Sequence, residues 1–231
     1  MRFVRRAGFW LLLAPLLALL LMQAYFFLQI GWWVNHNPES TSFMQRRLQQ
    51  LQQQDPAATL RYQWVPYQRI SRHLKRAIIA AEDASFSEHQ GIDWQALEKA
   101  YEKNQKRGKV VAGGSTITQQ LAKNLFLSGE RNFVRKGQEL VLSFALEAVL
   151  GKRRILEIYL NSVEWGEGVF GADAAAHRYF GAGASQLGAQ QAAQLAVMLP
   201  APKRFEKRPA SPYVLARAAT IVARMGHVEL P

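Results

Sequence analysis

Cysteine is absent from the 231 residues. The chain therefore cannot form disulfides, bind zinc through thiolates or use a cysteine nucleophile. Acidic residues are absent from the first 34 positions, and the alternation of apolar and polar residues that is typical of strands is scarce throughout. The composition, 49% hydrophobic and 20% charged, predicts a globular protein with a packed core rather than a disordered chain.

The charge is strongly positive, with 29 Lys and Arg against 17 Asp and Glu and a net charge of +12. Residues 1–34 hold three of the basic residues, so the rest of the chain carries 26 basic and 17 acidic side chains, or +9. Such an excess suits a nucleic acid, an anionic membrane surface or a phosphorylated ligand. Charge alone does not choose among these partners.

An uncharged stretch of 26 residues runs from Phe9 to Val34. As a helix it would be roughly 39 Å long, enough to cross a hydrocarbon core of ~30 Å with some tilt. Three arginines precede it, which by the positive-inside rule predicts a cytoplasmic tail at 1–8 and a single-pass anchor at 9–34. A cleaved signal peptide is disfavoured because the apolar run continues through bulky residues without a small-x-small cleavage site. Everything beyond the anchor should then be periplasmic or extracellular.

The exported part divides into a polar, glutamine-rich linker or stalk at 35–64 and a domain at 65–231 that should be mainly α. Ile70, Leu74, Ala77, Ile78 and Ala81 follow one helix face, and Ser71 is a plausible N-cap. Further helices are predicted at 115–127, 133–150, 152–161, 171–180, 186–199 and 212–225. No apolar pattern ties the anchor to this domain, so a chain without residues 1–34 should still fold.

Two clusters of side chains carry chemistry in the first half of this domain. Glu82 and Asp83 end an apolar helix face abruptly, and partial desolvation there raises a carboxyl pKa toward the range of a general base. The segment 113–124, GGSTITQQLAKN, starts a helix whose free backbone N–H groups could bind an anion. The alternative readings are an ordinary helix end and an ordinary helix start.

Two more clusters follow. Arg131, Arg135 and Glu139 are spaced by four, so one helix face could present two guanidinium groups and a carboxylate, and arginine forks suit phosphate oxygens. An ordinary surface pair between Arg135 and Glu139 is the simpler reading. The segment 166–171 contains three closely spaced glycines, which predicts a loop with positive φ or a close backbone approach.

In combination and order these clusters resemble the motifs of the family 51 glycosyltransferases, the transglycosylase domain of class A penicillin-binding proteins and of monofunctional transglycosylases. The motifs are EDxxFxxHxGxD at 82–93, GGSTITQQLAKN at 113–124, RKxxE at 135–139, ILExYLN at 155–161, GxGxxGxxxAAxxYFG at 166–181 and LAxMLPxP at 195–202. The resemblance covers about residues 65–225. The sequence ends at Pro231, so we expect no transpeptidase domain, and the resemblance is greatest to the monofunctional members.

The resemblance implies a lysozyme-like, two-lobed α domain with one membrane-hugging lobe, and an inverting polymerisation of lipid II that releases undecaprenyl diphosphate. Glu82 would be the general base, and Glu139 a second essential carboxylate that assists the leaving side or holds basic groups and any metal. Lys123, Arg131 and Arg135 would bind the diphosphate. The other implied site residues are Asp83, Phe86, Ser115, Gln120 and Asn124.

The resemblance further implies partners and a location. No cofactor is required, although a divalent cation such as Mg²⁺ is allowed. Lipid II, the growing glycan strand and the cytoplasmic (inner) membrane are the expected partners, and other cell-wall synthesis and division proteins are further candidates. Nucleic acid is not expected.

Two positions depart from the family pattern: Ala182 stands where a lysine is expected and Gln191 where a glutamate is usual. Both lie far in sequence from the carboxylates. Two other functions remain open at this point, a lytic enzyme of the lysozyme type and a non-catalytic, membrane-tethered scaffold for cell-wall assembly. The lytic enzyme would need neither an anion-binding helix start nor the basic cluster, and an intact pair of glutamates argues against the scaffold.

Overall fold

The computed structural model describes residues 2–109, 111, 113–127, 129–130 and 132–231, and for residues 2–12 the backbone alone. Its helices are α1 (Arg2–Trp32), α2 (Ser42–Gln52), α3 (Arg72–Glu82), α4 (Trp94–Arg107), α5 (Ile117–Phe126), α6 (Phe133–Val149), α7 (Lys152–Ser162), α8 (Ala172–Phe180), α9 (Ala189–Met198), α10 (Pro202–Phe205) and α11 (Pro212–Met225). The prediction of a mainly α protein is confirmed. The likeness to lysozyme stays an implication of the family resemblance.

Three short strands form the one sheet of the described residues, β1 (Arg61–Tyr62), β2 (Glu164–Gly166) and β3 (Val169–Phe170). β3 lies between the other two, parallel to β1 and antiparallel to β2. The predicted glycine loop joins β2 to β3 and continues into α8. Gly168 and Gly171 have positive φ, and a Cβ on Gly171 would lie 2.9 Å from the carbonyl oxygen of Asn161.

Two groups of helices build the core. α3, α9 and α11 pack against one another, and α5 packs against α6 and α7. The helix predicted from Ile70 onward is α3, and Ser71 caps it by accepting a hydrogen bond from the amide of His73 at 3.2 Å. Glu82, the last residue of α3, is hydrogen-bonded to Gln120 of α5. The C-terminal end of α3 therefore lies where the two groups meet.

Helix α4 is the longest element that the sequence did not predict; the short α10 and the three strands were not predicted either. Of the side chains of α4 only Ala100 is buried; Trp94, Leu97 and Tyr101 share one apolar face, but they are 43–67% exposed. The helix is capped at both ends. Asp93 accepts a hydrogen bond from the amide of Ala96 at 2.8 Å, and Gly108 ends the helix with a φ of 61°.

Residues 35–64 do not form a free linker or stalk in the structure, which corrects that expectation. Thr41 caps α2, and Met44 on α2 is buried. Arg47 makes a bidentate ion pair with Glu164 at 2.6 and 2.8 Å, and Arg61 joins the sheet through β1. The sequence did not reveal this packing, because the few side chains through which α2 contacts the domain are separated by exposed glutamines.

Helix α1 is long and apolar enough to cross a membrane over Leu13–Trp32. Its C-terminal end packs on the domain, since Ile30 is fully buried, Trp33 is 8% exposed, and both belong to the main core. The premise that residues 1–34 do not pack on the domain is therefore wrong. Folding of a chain without these residues stays a prediction. Apolar periodicity could not reveal the contact, because every face of this helix is apolar.

Ile30→Ala should lower the free energy of unfolding of the domain by about 2–4 kcal/mol, because it leaves a cavity in the core. Leu28→Ala is the matched control, since Leu28 is 74% exposed on the same helix. Thermal unfolding in detergent measures both. Equal midpoints for the two variants would show that the end of α1 contributes nothing to the stability of the domain.

Of the two departures from the family pattern, only Gln191 has a local explanation. Gln191 occupies the third position of α9, where its Oε1 accepts a hydrogen bond from the amide of Gly188 at 3.0 Å. A glutamate would cap the helix through the same oxygen, so the replacement conserves the contact. Nothing in the structure explains Ala182.

Candidate active site

Glu82 is the residue around which the site is built. Its carboxylate accepts a hydrogen bond from Nε2 of Gln120 on α5 at 2.8 Å. Burial raises the pKa of Glu82, and the negative charge of Asp83 raises it further, while Gln120 and Lys123 lower it. Burial therefore raises the pKa of Glu82, as expected for a carboxylate at the end of an apolar helix.

The amide of Gln120 is oriented by a tyrosine that sequence reasoning did not single out. The hydroxyl of Tyr159 on α7 donates to Oε1 of Gln120 at 2.8 Å, so the NH₂ group of Gln120 must face Glu82. Tyr159 is fully buried, and burial raises its pKa well above the ordinary value. The hydroxyl thus stays protonated and keeps the glutamine in one orientation.

Asp83 is 7% exposed, and both of its oxygens bind protein groups. Oδ1 lies 2.8 Å from Nε2 of His89, and Oδ2 accepts a hydrogen bond from the backbone amide of Ile117 at 2.9 Å. Ile117 is the first residue of α5, so Asp83 holds the start of α5 beside the end of α3. Asp83 thereby positions Glu82 and Gln120 relative to each other.

The start of α5 was expected to offer free N–H groups to an anion. Two of these groups are already bonded, Ile117 to the Asp83 carboxylate and Gln119 to the hydroxyl of Thr116 at 3.2 Å. The anion at this helix start is therefore a side chain of the protein itself, which corrects the expectation. Gly114 is required in the preceding turn, since a Cβ there would lie 2.9 Å from the Cα of Leu97.

Phe86 has no exposed surface, so it lies in the core rather than in the wall of a substrate site. The Nζ of Lys152 lies 4.6 Å from the centre of its ring, and His89 meets the ring edge-on. This placement corrects the expectation of a substrate contact, and Phe86 instead supports the loop that carries Asp83 and His89.

Lys123 stands on α5 one turn after Gln120. Burial lowers its pKa; Arg135 and Lys136 lower it as well, while the carboxylates of Glu139 and Glu82 raise it. Lys123 thus interacts electrostatically with both glutamates. Together with Asn124, which is buried, it lines a cavity of about 460 Å³ that Gln120 and Tyr159 also line.

Glu139 on α6 is 3% exposed and holds two cations. Arg135 Nη1 donates to its Oε2 at 2.7 Å, and Lys136 Nζ donates to its Oε1. The simpler interpretation, an ion pair of Arg135 with Glu139 on the surface, names the right partners. The pair is largely buried, however, rather than on the surface. Arg131 lies outside the described residues.

Lys136 is a site residue that sequence reasoning missed. Besides Glu139, its Nζ reaches Oγ of Ser115 and Oε1 of Gln119, each at 3.4 Å. The signal was present, because Lys136 is the second residue of the RKxxE motif and lies three positions before Glu139. Ser115, which is exposed, is thereby brought next to the basic cluster.

The loop and helix ends around Glu82 enclose a second cavity of about 390 Å³, lined among others by Glu82, Asp83, Ser115 and Thr116. Glu82 therefore faces open space, while Gln120 and Lys123 face the neighbouring cavity. One half-buried carboxylate of raised pKa, with a group of lysine and arginine side chains held on a second carboxylate nearby, can accept a proton and stabilise a departing anion.

Comparison with known proteins identifies relatives of the chain. The transglycosylase family model matches residues 47–226, which include every site residue described above. A biosynthetic peptidoglycan transglycosylase of Herminiimonas arsenicoxydans is 63% identical over 231 residues, the full length of both chains. Proteins of the same description from Janthinobacterium sp. (strain Marseille) and Azoarcus sp. (strain BH72) are 60% identical over 231 residues and 55% identical over 220 residues, or 100% and 95% of each chain.

Proposed function

Because the chain belongs to the transglycosylase family and is a glycosyltransferase of peptidoglycan synthesis, we propose a specific reaction for it. In this reaction it polymerises lipid II, inverts the configuration at the donor carbon and releases undecaprenyl diphosphate. The observation that carries this proposal is the pairing of the Glu82 carboxylate, oriented by Gln120, with the basic cluster held on Glu139. A base and an anion-stabilising cluster are the two parts that such a transfer needs.

Glu82 acts as the general base in the proposed reaction. It removes the proton from the 4-hydroxyl of the acceptor sugar as that oxygen attacks C1 of the donor N-acetylmuramic acid. The bond from C1 to the diphosphate oxygen breaks on the opposite face, so the configuration at C1 inverts. The raised pKa supports this role, because a carboxylate with a pKa closer to neutrality accepts a proton more readily.

Lys123, Arg131, Arg135 and Lys136 bind the departing diphosphate. A diphosphate is already a good leaving group, so positive charge on its oxygens accelerates departure more than a strong acid would. Burial of Lys123 strengthens this effect, because Coulomb interactions are less screened away from water. Ser115 and Asn124 lie beside the cluster and complete the polar wall.

Glu139 holds the cations rather than exchanging protons with the substrate. Both of its oxygens are bound by Arg135 and Lys136, and its side chain is buried. The same two contacts occupy the positions at which Glu139 would ligate a metal. Among the described residues no three His, Asp or Glu side chains are grouped to hold a metal ion. The allowance for Mg²⁺ stays a prediction, tested by polymerisation with and without a chelator.

A lytic enzyme of the lysozyme type is the second candidate, because Glu82 could also donate a proton to a glycosidic oxygen. The buried cluster on Glu139 favours transfer from a diphosphate, since hydrolysis of a glycan releases no anion. Incubation of the purified protein with lipid II, followed by gel analysis, separates the two. Polymer supports the proposal, whereas shortening of preformed glycan without polymer would support the lytic alternative. A protein inactive in both assays would point to the scaffold.

We also propose that α1 anchors the chain in the cytoplasmic membrane, with its N-terminus in the cytoplasm and the catalytic domain in the periplasm. The apolar span and the arginines before it support this orientation. Tethering confines the enzyme to the surface in which its lipid-linked substrate lies.

The rate of polymerisation should rise with pH through the raised pKa of Glu82, because only the ionised carboxylate accepts the proton. Gln120→Leu should move this acidic limb to higher pH, since it removes a hydrogen bond that lowers the pKa of Glu82. Gln190→Leu, at an exposed position of α9, is the matched control. A limb that stays in place in Gln120→Leu would disconnect Glu82 from the titration.

A further inference from the structure

The anchor helix meets the domain through a pair of glutamines. Nε2 of Gln23 donates to Oε1 of Gln138 at 2.8 Å, and Nε2 of Gln138 donates to Oε1 of Gln23 at 3.1 Å. A polar side chain in an apolar helix needs such a partner, because unsatisfied amides are costly away from water. Gln138 directly precedes Glu139, so the pair lies within one turn of the basic cluster.

Aromatic side chains continue this contact toward the end of α1. The rings of Phe26 and Trp33 lie 4.8 and 5.3 Å from the ring of Phe126, measured between centres. Phe126 is the last residue of α5, the helix that carries Gln120 and Lys123. The anchor therefore touches both helices that supply the cations.

Arg154 on α7 binds the chain where α1 ends. Its guanidinium donates to the carbonyl oxygens of Trp33 at 2.9 Å and His36 at 2.6 Å, and to Oδ1 of Asn37 at 2.9 Å. A cation at this place satisfies carbonyl groups that the helix leaves open and interacts favourably with the helix dipole. Arg154 is itself held by Glu157 at 2.7 Å.

The length of α1 sets the depth of these contacts. It has 31 residues, or roughly 46 Å at ~1.5 Å per residue, whereas a hydrocarbon core of ~30 Å needs about 20. If the arginines stay outside, a span that starts at residue 7 ends near residue 26. Leu16–Leu21 then lie in the hydrocarbon, and all but Ala18 of these are large apolar side chains 47–63% exposed. Beyond residue 26 the domain covers Ile30 and Trp33, while Leu28 and Trp32 stay 74% and 61% exposed at the interfacial level.

We infer that Gln23, Gln138 and Arg154 are positioning residues that clamp the catalytic helices onto the anchor. Gln23 lies roughly 5 Å inside the outer boundary of the hydrocarbon, at ~1.5 Å for each of the three residues that separate it from residue 26. The clamp holds the cluster of Lys123, Arg135 and Lys136 at the level of the lipid headgroups. A diphosphate that joins a sugar to a membrane-bound lipid lies at this level. The inference rests on the proposed function for its catalytic consequence, although the depth itself does not.

A nitroxide label tests the depth directly. The chain has no cysteine, so Phe133→Cys provides one labelling site, and Phe133 is 96% exposed at the start of α6. In anionic phospholipid vesicles, accessibility of the label to oxygen and to a water-soluble relaxation agent gives its depth. Adding Gln138→Leu or Gln23→Leu should change this depth, whereas Gln29→Leu should not. Gln29 is the matched control, because its amide bonds only to Tyr25 on α1 among the contacts of the described residues.

A second experiment compares the rate of polymerisation of lipid II in vesicles with the rate in detergent. Gln138→Leu, Gln23→Leu and Arg154→Gln should lower polymerisation in vesicles by roughly three- to tenfold and leave it unchanged in detergent, as expected for the loss of one interhelical polar contact. If Gln138→Leu does not fold, Gln23→Leu breaks the same pair from the anchor side. Unchanged label depth, or a vesicle-to-detergent ratio equal to that of Gln29→Leu, would overturn the inference. An unaltered protein that makes no polymer in either medium would instead refute the proposed function, with the depth still measurable.

Discussion

Glu82→Gln should lower the rate of lipid II polymerisation by about 10²- to 10⁴-fold, the usual contribution of a positioned general base. Glutamine has the shape of glutamate and can still bond to Gln120 through its carbonyl oxygen, so the protein should fold normally. An amide cannot take the proton of the attacking hydroxyl at any pH of the assay. The measurement is the initial rate of polymer formation in detergent, with thermal unfolding as the check on folding.

Glu88→Gln is the control for this variant, since Glu88 is exposed in the segment that follows α3. It removes the same charge six residues away without touching Gln120. A Glu82→Gln protein that keeps even a tenth of the original rate would remove Glu82 from the role of base. Equal losses in the two variants would indicate that negative charge in this region matters rather than proton transfer.

Lys123→Met should lower the rate of polymerisation by about 10²- to 10³-fold, the effect of removing one preorganised group that stabilises a developing anion. Methionine keeps most of the apolar stem of lysine, so packing against the half-buried cavity wall is largely preserved. The variant should also bind phosphoglycolipid inhibitors of the moenomycin type more weakly, because the lost contact goes to phosphate in both cases.

Lys106→Met is the matched control, since Lys106 lies on the exposed face of α4 and pairs only loosely with Glu102 at 3.8 Å. It loses the same charge from the domain without affecting the site. If Lys123→Met slows polymerisation but binds the inhibitor as tightly as Lys106→Met does, the assignment of Lys123 to the diphosphate is wrong.

Local signals in the sequence were sufficient for most of the helices. The spacing of apolar residues from Ile70 to Ala81 predicts α3, and Ser71 caps it as expected. Ser211 and Pro212 begin α11 at the predicted place. Such features depend on residues within one or two turns, so they can be recognised without knowing what the helix packs against.

The sequence also predicted part of the chemistry of the site. An acidic pair after an apolar face identified Glu82, and the spacing of four identified Arg135 and Glu139 as partners. Lys136 was overlooked, because a lysine at spacing three on a helix is more often exposed. The family resemblance then supplied the roles, which residue types alone left open.

The sequence by itself therefore determined the helical class, the long apolar N-terminal helix and the residue types available for catalysis, because each depends on composition or short-range periodicity. The tertiary structure alone decided what those residues do to one another. Gln120 reaches Glu82 across 38 positions, Tyr159 orients Gln120 across 39, and Gln23 meets Gln138 across 115. It also decided that Asp83 accepts the amide at the start of α5 and that the end of α1 belongs to the core. Contacts of this kind arise when helices from distant parts of the chain pack together, and their pairing is set by the shape and burial of the whole interface rather than by any local pattern.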